Sequence, residues 1–241
     1  MPPLTETEIT HEAVEERAAA LERMRFHRGN RRILAERVRS IKGGQAKVLE
    51  LGAGHLDFTL NYLRPAAGEV VATDLEPLFP ADLQFPEGVT FQKEDALDLS
   101  FDDETFDCVI ALEVIEHVPD DHAFVREGIR VLRPGGKFVY TTPNRLRATA
   151  LARYLIGRPI RFPHTYAVDP VLGDITHLRE YSHKDMRELV ENYRGQIDDV
   201  RIDGVGLGVP AWQAVILRAG PLHRLAFNWH VTLTKRGSDR L

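Results

Sequence analysis

From Ala46 onward, short apolar runs alternate with helical patterns, and this alternation restricts the fold more than any other feature of the sequence. Runs of four to eight residues rich in Val, Ile, Phe and Thr are typical of buried strands, and helices between them are typical of βαβ crossovers. The segments in chain order are AKVLEL, DFTLNYL, EVVATD, VTFQKED, FDCVIALE, HAFVREGIRVL and KFVYTTP. The sequence therefore predicts an open α/β fold on a parallel sheet, whose ligands bind at the carboxyl ends of the strands.

The remaining segments predict one domain with additions. The chain has 241 residues, roughly 1.6 average domains, yet no change in composition marks a second domain. We expect a helical N-terminal cap over residues 1–45, a ligand-binding core over 46–144 and an irregular insert over 145–182. Residues 183–241 are expected to complete the sheet with HKDMRELVENY as a helix, QIDDVRIDGV as a strand and FNWHVTLTKR as the final strand.

Composition excludes several classes of protein. A single cysteine, Cys108, excludes an internal disulfide framework and a multi-cysteine zinc site, and its apolar strand predicts a core position. No apolar run approaches the roughly 18 residues of a membrane span. The first residues lack the basic start and apolar stretch of a secretory signal, so a cytoplasmic location is expected. The net charge of −5 is mild, and an anionic partner would need a local basic patch.

The first predicted strand ends in a glycine-containing turn. Gly52 and Gly54 follow Val48–Leu51, and a helix is expected from Asp57. Glycines at such a turn let the backbone approach a ligand, although a purely structural turn has the same pattern. Asp57 stands where the dinucleotide fingerprint has its third glycine. Glu50, just before the turn, would repel a pyrophosphate and attract an ammonium group.

Acidic residues also follow the next strands. Asp74 lies 20 positions after Gly54, where a carboxylate can accept both hydroxyls of a ribose. Asp95 ends the third run and can accept from an adenine amino group. A strand-end or helix-capping role explains each acid equally well in isolation. The fourth run continues into Glu113–Pro119, and the turn LRPGGKF leads into the fifth run. Five such signals at one sheet edge favour a ligand site over five separate structural roles.

These motifs resemble the class I S-adenosylmethionine-dependent methyltransferases, particularly the group that includes quinone-biosynthesis and small-molecule enzymes. The resemblance is strong over residues 46–144. It implies a Rossmann-like, doubly wound, seven-stranded sheet, mostly parallel with the last strand antiparallel and helices on both faces. It also implies S-adenosyl-L-methionine as cofactor, contacted by Glu50, Gly52, Ala53, Gly54, Asp74, Leu75, Asp95, Ala96 and Glu113. One departure is Leu56, where the family often has a third glycine, preceded here by His55.

Methyl transfer requires alignment of the acceptor with the methyl group, and a base only if the acceptor must lose a proton. His117 follows the fourth strand and is the first candidate; a helix-entry role is the alternative. His177 and Tyr181, in THLREYS, are further candidates, with a packed loop as the alternative. No metal is expected, because His11–Glu15 lacks the second histidine of HExxH and no other histidine has ligand spacing.

The insert gives the clue to the acceptor. Residues 145–166 contain five arginines and no acid, with apolar residues near helical spacing. A lid over an anionic or lipid-like acceptor, with at most peripheral membrane contact, is one interpretation, and a solvated basic helix is the other. Trp212 can line an acceptor pocket, though a core position is the alternative. Arg25, His27 and Arg28 are further possible contacts.

The sequence thus predicts a methyltransferase for a small-molecule acceptor, with O-methylation preferred. Nucleic acid is not expected as the acceptor, because basic residues concentrate in one segment and TTPN lacks the pattern of base-methylating enzymes. Two alternatives stay open. A nicotinamide-dependent oxidoreductase shares the glycine turn and Asp74 but does not account for Glu50 or Asp95. A non-catalytic cofactor-binding protein has the same motifs.

Overall fold

The computed structural model describes residues 25–169, 173–206, 216–217 and 221–238. The first predicted N-terminal helix and Trp212 lie outside the described residues. So do the side chains of Arg25, His27 and Arg28.

The centre of the molecule is an eight-stranded sheet in the order β3-β2-β1-β4-β5-β10-β8-β9. Strands β1 to β5 are parallel, while β10 is antiparallel to both β5 and β8. The strands are β1 (Lys47–Leu51), β2 (Glu69–Asp74), β3 (Val89–Lys93), β4 (Phe106–Leu112), β5 (Leu132–Pro143), β8 (Ile197–Val205), β9 (Ile216–Leu217) and β10 (Asn228–Lys235). This arrangement confirms the predicted mostly parallel sheet with an antiparallel last strand. The count is eight instead of seven because the two-residue β9 pairs with the edge of β8.

The strands bury both faces, so alternate residues of one strand enter different cores. Leu49 and Leu51 of β1 pack in the larger core, whereas Val48 packs in a second core on the opposite face. Cys108 is fully buried in the second core, as predicted. Three layers result, with the sheet between two sets of helices.

The helices are distributed over both faces. They are α1 (Arg25–Arg39), α2 (Asp121–Arg130), α3 (Ala148–Leu155) and α4 (His183–Glu191), with a π-helical segment at Thr59–Leu63 after β1. Helix α2 begins at the N-cap Asp120 and α4 at a capping box between Ser182 and Asp185. Leu34 and Val38 of α1 enter the second core, and Met186 of α4 enters the larger one. Across the described residues, no helix is both long and apolar enough to span a bilayer.

The insert is more regular than its composition suggested. It contains α3 and a two-stranded antiparallel sheet of β6 (His164–Asp169) and β7 (Gly173–His177). No residue of α3 is buried. Strand β7 brings the end of the insert back to the main sheet, where the Leu178 N–H donates to the Glu116 carbonyl at 2.8 Å.

Candidate active site

The turn after β1 needs glycine at Gly52 for two reasons. Gly52 has a φ of +71°, and a Cβ there would lie 2.5 Å from Cγ2 of Val114. Gly54 also has a positive φ, +54°, but a Cβ there would meet nothing within 4 Å. The backbone at Gly54 therefore borders open space, which is what close approach of a ligand requires.

Leu56 explains the departure from the three-glycine pattern. It adopts a φ of +62° and is fully buried among Ala53, Ala72 and Phe79. A left-handed conformation costs a non-glycine residue about 1–2 kcal/mol, and burial of a leucine side chain offsets a cost of this size. Leu56 therefore occupies a left-handed backbone position of the kind that favours glycine.

Asp74 joins the ends of β1 and β2. Its Oδ2 accepts from the Gly54 N–H at 2.8 Å, and its Oδ1 accepts from the Leu75 N–H at 2.8 Å. The carboxylate is half-buried, and this burial raises its pKa. Leu75 beside it is 63% exposed. An anionic group and an exposed apolar side chain thus lie side by side next to the open glycine turn.

His55 lies against the same aspartate. Its Nδ1 is 2.8 Å from the Leu78 carbonyl oxygen, so Nδ1 carries the proton and donates. Its electrostatic interaction with Asp74 lowers the pKa of that carboxyl, against the larger effect of burial. His55 therefore supports the wall of the site.

Glu50 is a buried carboxyl group, only 2% exposed. Burial raises its pKa to about 7, and the hydroxyl of Thr59, which donates to Oε2 at 2.5 Å, acts against that effect. The buried Glu50 carboxyl group is therefore shielded from water and accepts a hydrogen bond from the Thr59 hydroxyl. A positively charged ligand group beside it would favour its ionised form.

Helix α1 is anchored to this loop by a buried ion pair that the sequence analysis missed. Arg31 donates to Asp57, and both side chains are at most 10% exposed. Asn61 also donates to Asp57, at 3.0 Å. The sequence held one signal of this ion pair, which is that Asp57 stands at the position of the fingerprint's third glycine. A buried acid at that position requires a cationic partner.

The acids after β3 divide into a structural and an exposed one. Glu94 is buried and accepts from Gln92 and from the backbone and hydroxyl of Ser100. Asp95 is exposed, and its Oδ1 accepts from the Leu97 N–H at 2.9 Å. Asp95 and the half-buried Ala96 therefore lie beyond the end of β3, at the edge where Asp74 ends β2.

The loop after β4 holds two carboxyl groups with raised pKa values. Glu113 has a φ of +55° and accepts from Asn228, and burial raises its pKa to about 7. Glu116 is fully buried and accepts from the hydroxyl of Thr142 at 3.0 Å. Burial, and then the neighbouring charge of Glu113, raise the pKa of Glu116 well above its ordinary value. Asn228 and Thr142, at the adjoining ends of β10 and β5, were not predicted as site residues.

The structure brings His117 and His177 together although they are 60 positions apart. Their ring centroids are 4.9 Å apart. His117 Nδ1 is 2.9 Å from the Thr176 carbonyl oxygen, and His177 Nδ1 is 3.1 Å from Oε1 of Glu180. Each Nδ1 therefore donates, because a carbonyl and a carboxylate only accept. Burial lowers the pKa of His117, so its imidazole is neutral near pH 7 with a lone pair on Nε2.

Glu180 connects this histidine pair to the insert. It is buried and accepts from His177 and Arg147, which in turn donates to the Asn144 carbonyl. Burial works to raise the pKa of Glu180, but the hydrogen bonds from His177 and Arg147 outweigh it and lower the pKa. A buried ion pair thus joins the two ends of the insert beside His177.

Tyr181 lies in the larger core, only 4% exposed. Its hydroxyl donates to Asp121 at 3.0 Å, and burial raises its pKa. The backbone carbonyl of Tyr181 accepts from the indole N–H of Trp229 at 3.0 Å. The side chain and backbone of Tyr181 are thus both fixed by hydrogen bonds within the larger core.

The residues around the glycine turn fit S-adenosylmethionine. Asp74 presents a carboxylate to the open side of the turn for ribose hydroxyls, and Leu75 offers an exposed apolar surface for a base. Glu50 is a desolvated carboxyl suited to the ammonium group of the amino-acid part. Among the residues that the structure describes, no side chain blocks the approach to Gly54.

The strand order is that of a Rossmann-like fold of the kind found in S-adenosylmethionine-dependent methyltransferases. A solved S-adenosylmethionine-dependent methyltransferase from Thermotoga maritima, described as a possible histamine N-methyltransferase, superposes with a TM-score of 0.60 at 16% sequence identity. The match covers 92% of this chain and 99% of that one. At this identity it shows the fold.

Residues 49–140 match the family model described as "Methyltransferase domain". This part of the chain is therefore similar to a methyltransferase domain, and the matched segment runs from β1, just before the glycine turn, to β5.

Two relatives illustrate the range of this family. A probable phthiotriol/phenolphthiotriol dimycocerosates methyltransferase of Mycobacterium ulcerans is 39% identical over 100 residues, which are 39% of this chain and 38% of that protein. The chloroplastic tocopherol O-methyltransferase of Arabidopsis thaliana is 35% identical over 104 residues, covering 40% of this chain and 30% of that protein. The matches thus span about a third of the length of these curated relatives.

Proposed function

We propose that the chain transfers a methyl group from S-adenosylmethionine to a hydroxyl oxygen of a small, lipid-like acceptor. The observation that carries the proposal is the juxtaposition of an open glycine turn with Asp74 and a buried acid–histidine cluster along one edge of the sheet. The two relatives named above support the choice of acceptor, since their names give phthiotriol and phenolphthiotriol dimycocerosates as acceptors in one case and O-methylation of tocopherol in the other.

On the cofactor side, the chain's own residues bind and orient. Asp74 would accept from the ribose hydroxyls, Glu50 would pair with the ammonium group, and Asp95 would accept from the adenine amino group. Leu75 and Ala96 would cover the base. When bound, S-adenosylmethionine supplies an electrophilic methyl group whose sulfur keeps the bonding electron pair as the methyl leaves.

An apolar cavity lined by residues of the insert supports a lipid-like acceptor. Its volume is about 490 Å³, and Glu180, the partner of His177, is part of its wall. Much of the remaining wall is apolar and comes from the insert: Leu146, Ala150, Leu151, Tyr154, Ile160 and Phe162. Tyr154 and Leu155 of α3 are 67% and 75% exposed, which is unusual for large apolar side chains. The insert thus combines a cavity and an exposed apolar surface, as a lid or an acceptor-collecting surface would.

The charge of the insert is divided between structural and available arginines. Arg147 pairs with Glu180, and Arg145 pairs with Asp185 at 3.1 Å. Arg153, Arg158 and Arg161 are exposed and form no ion pair with the residues that the structure describes. These three arginines would meet an anionic part of the acceptor or an anionic lipid surface, next to the apolar residues of α3.

The acceptor hydroxyl must lose a proton when its oxygen forms the new bond to carbon. His117 follows the end of β4 and packs against His177, and the Nδ1 atom of each is held by an acceptor, which leaves Nε2 as the basic nitrogen. We assign deprotonation to this pair and a supporting role to Tyr181, whose hydroxyl is engaged by Asp121.

Methyl transfer from labelled S-adenosylmethionine to a prenylated catechol in detergent micelles tests the proposal. Transfer to oxygen, and faster transfer than to unprenylated catechol, is expected. Asp74→Asn should weaken the binding of S-adenosylhomocysteine roughly 10- to 150-fold in calorimetry, because hydrogen bonds to a charged group contribute about 1.5–3 kcal/mol.

Glu76→Gln is the matched control. Glu76 lies two residues away, exposed and paired with Lys93, so this variant should bind as the wild type does. Unchanged binding in Asp74→Asn would remove Asp74 from the site. Calorimetric binding of NAD without binding of S-adenosylhomocysteine would support the oxidoreductase alternative, and methylation of amines alone would exclude the hydroxyl acceptor.

A further inference from the structure

Three potential metal ligands meet at the carboxyl edge of the sheet. Glu116 and His117 come from the loop after β4, and His177 comes from the end of β7. One ligand atom from each lies within 4.8 Å of the others. The expectation of no metal was based on spacing along the chain, and spacing cannot show residues that only folding brings together.

The hydrogen bonds of His117 and His177 are of the kind that orient metal-binding histidines. A metal-ligating histidine commonly donates its other ring N–H to a backbone carbonyl or a carboxylate, which selects the tautomer and orients the ring. His117 Nδ1 donates to the Thr176 carbonyl at 2.9 Å, and His177 Nδ1 donates to Glu180 at 3.1 Å. Arg147 in turn holds Glu180. These second partners direct both Nε2 lone pairs away from the anchoring groups.

Glu116 supplies an independent observation. The residue is 0% exposed, and while Oε2 accepts from Thr142, Oε1 is buried without a hydrogen-bond partner among the described residues. An unpaired buried carboxylate oxygen is costly, because burial removes its water without replacing it. A cation beside Oε1 and the two imidazoles would supply the missing partner.

The distances bring the three groups within reach of one ion. Ligands at about 2.0–2.2 Å from a tetrahedral metal lie about 3.3–3.6 Å apart, and the three ligand atoms here lie within 4.8 Å of one another. Side-chain shifts of up to about an ångström would gather them around an ion.

We propose that Glu116, His117 and His177 form a binding site for a divalent first-row transition metal ion. Two imidazoles and one carboxylate suit Zn²⁺, Mn²⁺, Fe²⁺ or Co²⁺, whereas Mg²⁺ and Ca²⁺ prefer sites built from oxygen ligands. Three protein ligands leave positions open for an oxygen of the acceptor.

The consequence for catalysis rests on the proposed function. A divalent ion lowers the pKa of a hydroxyl group that it binds, so the acceptor would reach its nucleophilic alkoxide or phenolate form near neutral pH. With both Nε2 atoms on the ion, the two histidines hold the metal instead of accepting the proton, which passes to water. The acceptor oxygen then forms its bond to the methyl carbon, and the carbon–sulfur bond breaks. The acceptor class is then an alcohol or phenol with an oxygen able to enter the open metal position.

Metal binding can be measured without the reaction. The full chain, stripped with EDTA and dialysed, is titrated with Co²⁺, and the visible d–d absorption bands of protein-bound Co²⁺ are recorded. One Co²⁺ per chain is expected, displaced by Zn²⁺ but not by Mg²⁺ at the same concentration. Glu180→Gln should weaken Co²⁺ binding 10- to 100-fold, the effect typical of second-shell partners.

Direct ligands are tested by Glu116→Gln and His177→Gln, which should abolish the bands, with folding checked by circular dichroism. His117→Gln replaces either variant if one fails to fold. His122→Gln is the control, because His122 hydrogen-bonds to Tyr193 outside the cluster and should bind Co²⁺ as the wild type does. Wild-type binding in both ligand variants, or no binding by the wild type, would overturn the site.

The same samples separate this site from the proposed function. Co²⁺ binding without methyl transfer to any hydroxyl acceptor would leave the metal site standing and contradict the proposed function. Full methyl transfer by EDTA-treated protein that binds no Co²⁺ would contradict the metal site, and the two histidines would then act directly as bases.

Discussion

Glu50 and Asp74, beside the turn after β1, show how burial sets the pKa of single residues. Both carboxyl groups have raised pKa values because burial disfavours the ionised form. Glu50 is the more extreme of the two, with a pKa of about 7. Burial of Glu50 therefore lowers the stability of the folded chain at pH 7. Acids with pKa values shifted by burial are common at functional sites.

The unfolding free energy should reveal this cost as pH changes. The pKa of Glu50 is about 7 in the folded chain against a model-peptide value of 4.5. Its contribution is thus fully present below pH 4.5 and is lost as pH rises through 7. In urea unfolding, the wild type should lose about 2 kcal/mol relative to Glu50→Gln between about pH 5.5 and pH 8.

Glu69→Gln is the control for this titration, because Glu69 is exposed and pairs with Lys47 at the start of β2. Its difference from the wild type should not change over the same pH range. A constant difference between the wild type and Glu50→Gln would mean that Glu50 has an ordinary pKa in the folded chain.

At the scale of elements, helix α1 is held over the sheet by polar contacts as well as by its apolar face. Arg31 pairs with Asp57 at the cofactor turn, and Arg37 pairs with Asp203 of β8 at 2.6 Å. The carboxylates of both aspartates are nearly fully buried; Asp57 is paired with Arg31, and Asp203 with Arg201 as well as Arg37. The helix thus links the turn after β1 to the far side of the sheet.

Removal of one partner tests this link. Arg31→Ala leaves the buried Asp57 without its cation and should lower the unfolding free energy by about 3–5 kcal/mol. Arg32→Ala, on the exposed side of the same helix, should change it by less than about 0.5 kcal/mol. Both are measured by urea denaturation. A small effect in Arg31→Ala would show that water, not Arg31, balances the charge of Asp57.

The whole molecule consists of a well-packed sheet and a much less buried insert. Strand β4 is buried along nearly its whole length, whereas α3 has no buried residue. Local stability follows burial, so opening of α3 should require far less free energy than opening of the central strands. A segment that moves to admit an acceptor is expected to come from the less stable part.

Amide hydrogen exchange followed by mass spectrometry measures this difference. The amides of α3 should exchange at least 100-fold faster than those of β4, which corresponds to about 3 kcal/mol in opening free energy. A prenylated catechol should slow exchange in α3 and leave β4 unchanged. Equal protection of the two elements in the free chain would contradict a mobile lid.

The sequence by itself determined the sheet and the edge at which its acids and glycines meet. Apolar periodicity and glycine turns are local properties, and they were enough to predict β1 to β5, α2, α4 and the last strand, whose antiparallel direction came from the family resemblance. They also placed Gly52, Gly54 and Asp74 at one edge, because parallel strands bring their carboxyl ends together. Leu56 was recognised as a departure from the three-glycine pattern, but only the structure shows its left-handed backbone conformation.

Tertiary structure decided what meets at that edge. His117 and His177 are 60 positions apart, and Thr142 and Asn228 reach the buried carboxyl groups from strands that only the sheet order makes neighbours. Likewise, the sequence shows Arg147 only as one of five arginines in a stretch without acids, and its ion pair with Glu180 forms only in the folded chain. Local patterns carry information over a few residues, whereas burial, pKa values and ligand sets depend on distances through space that the chain acquires only when it packs.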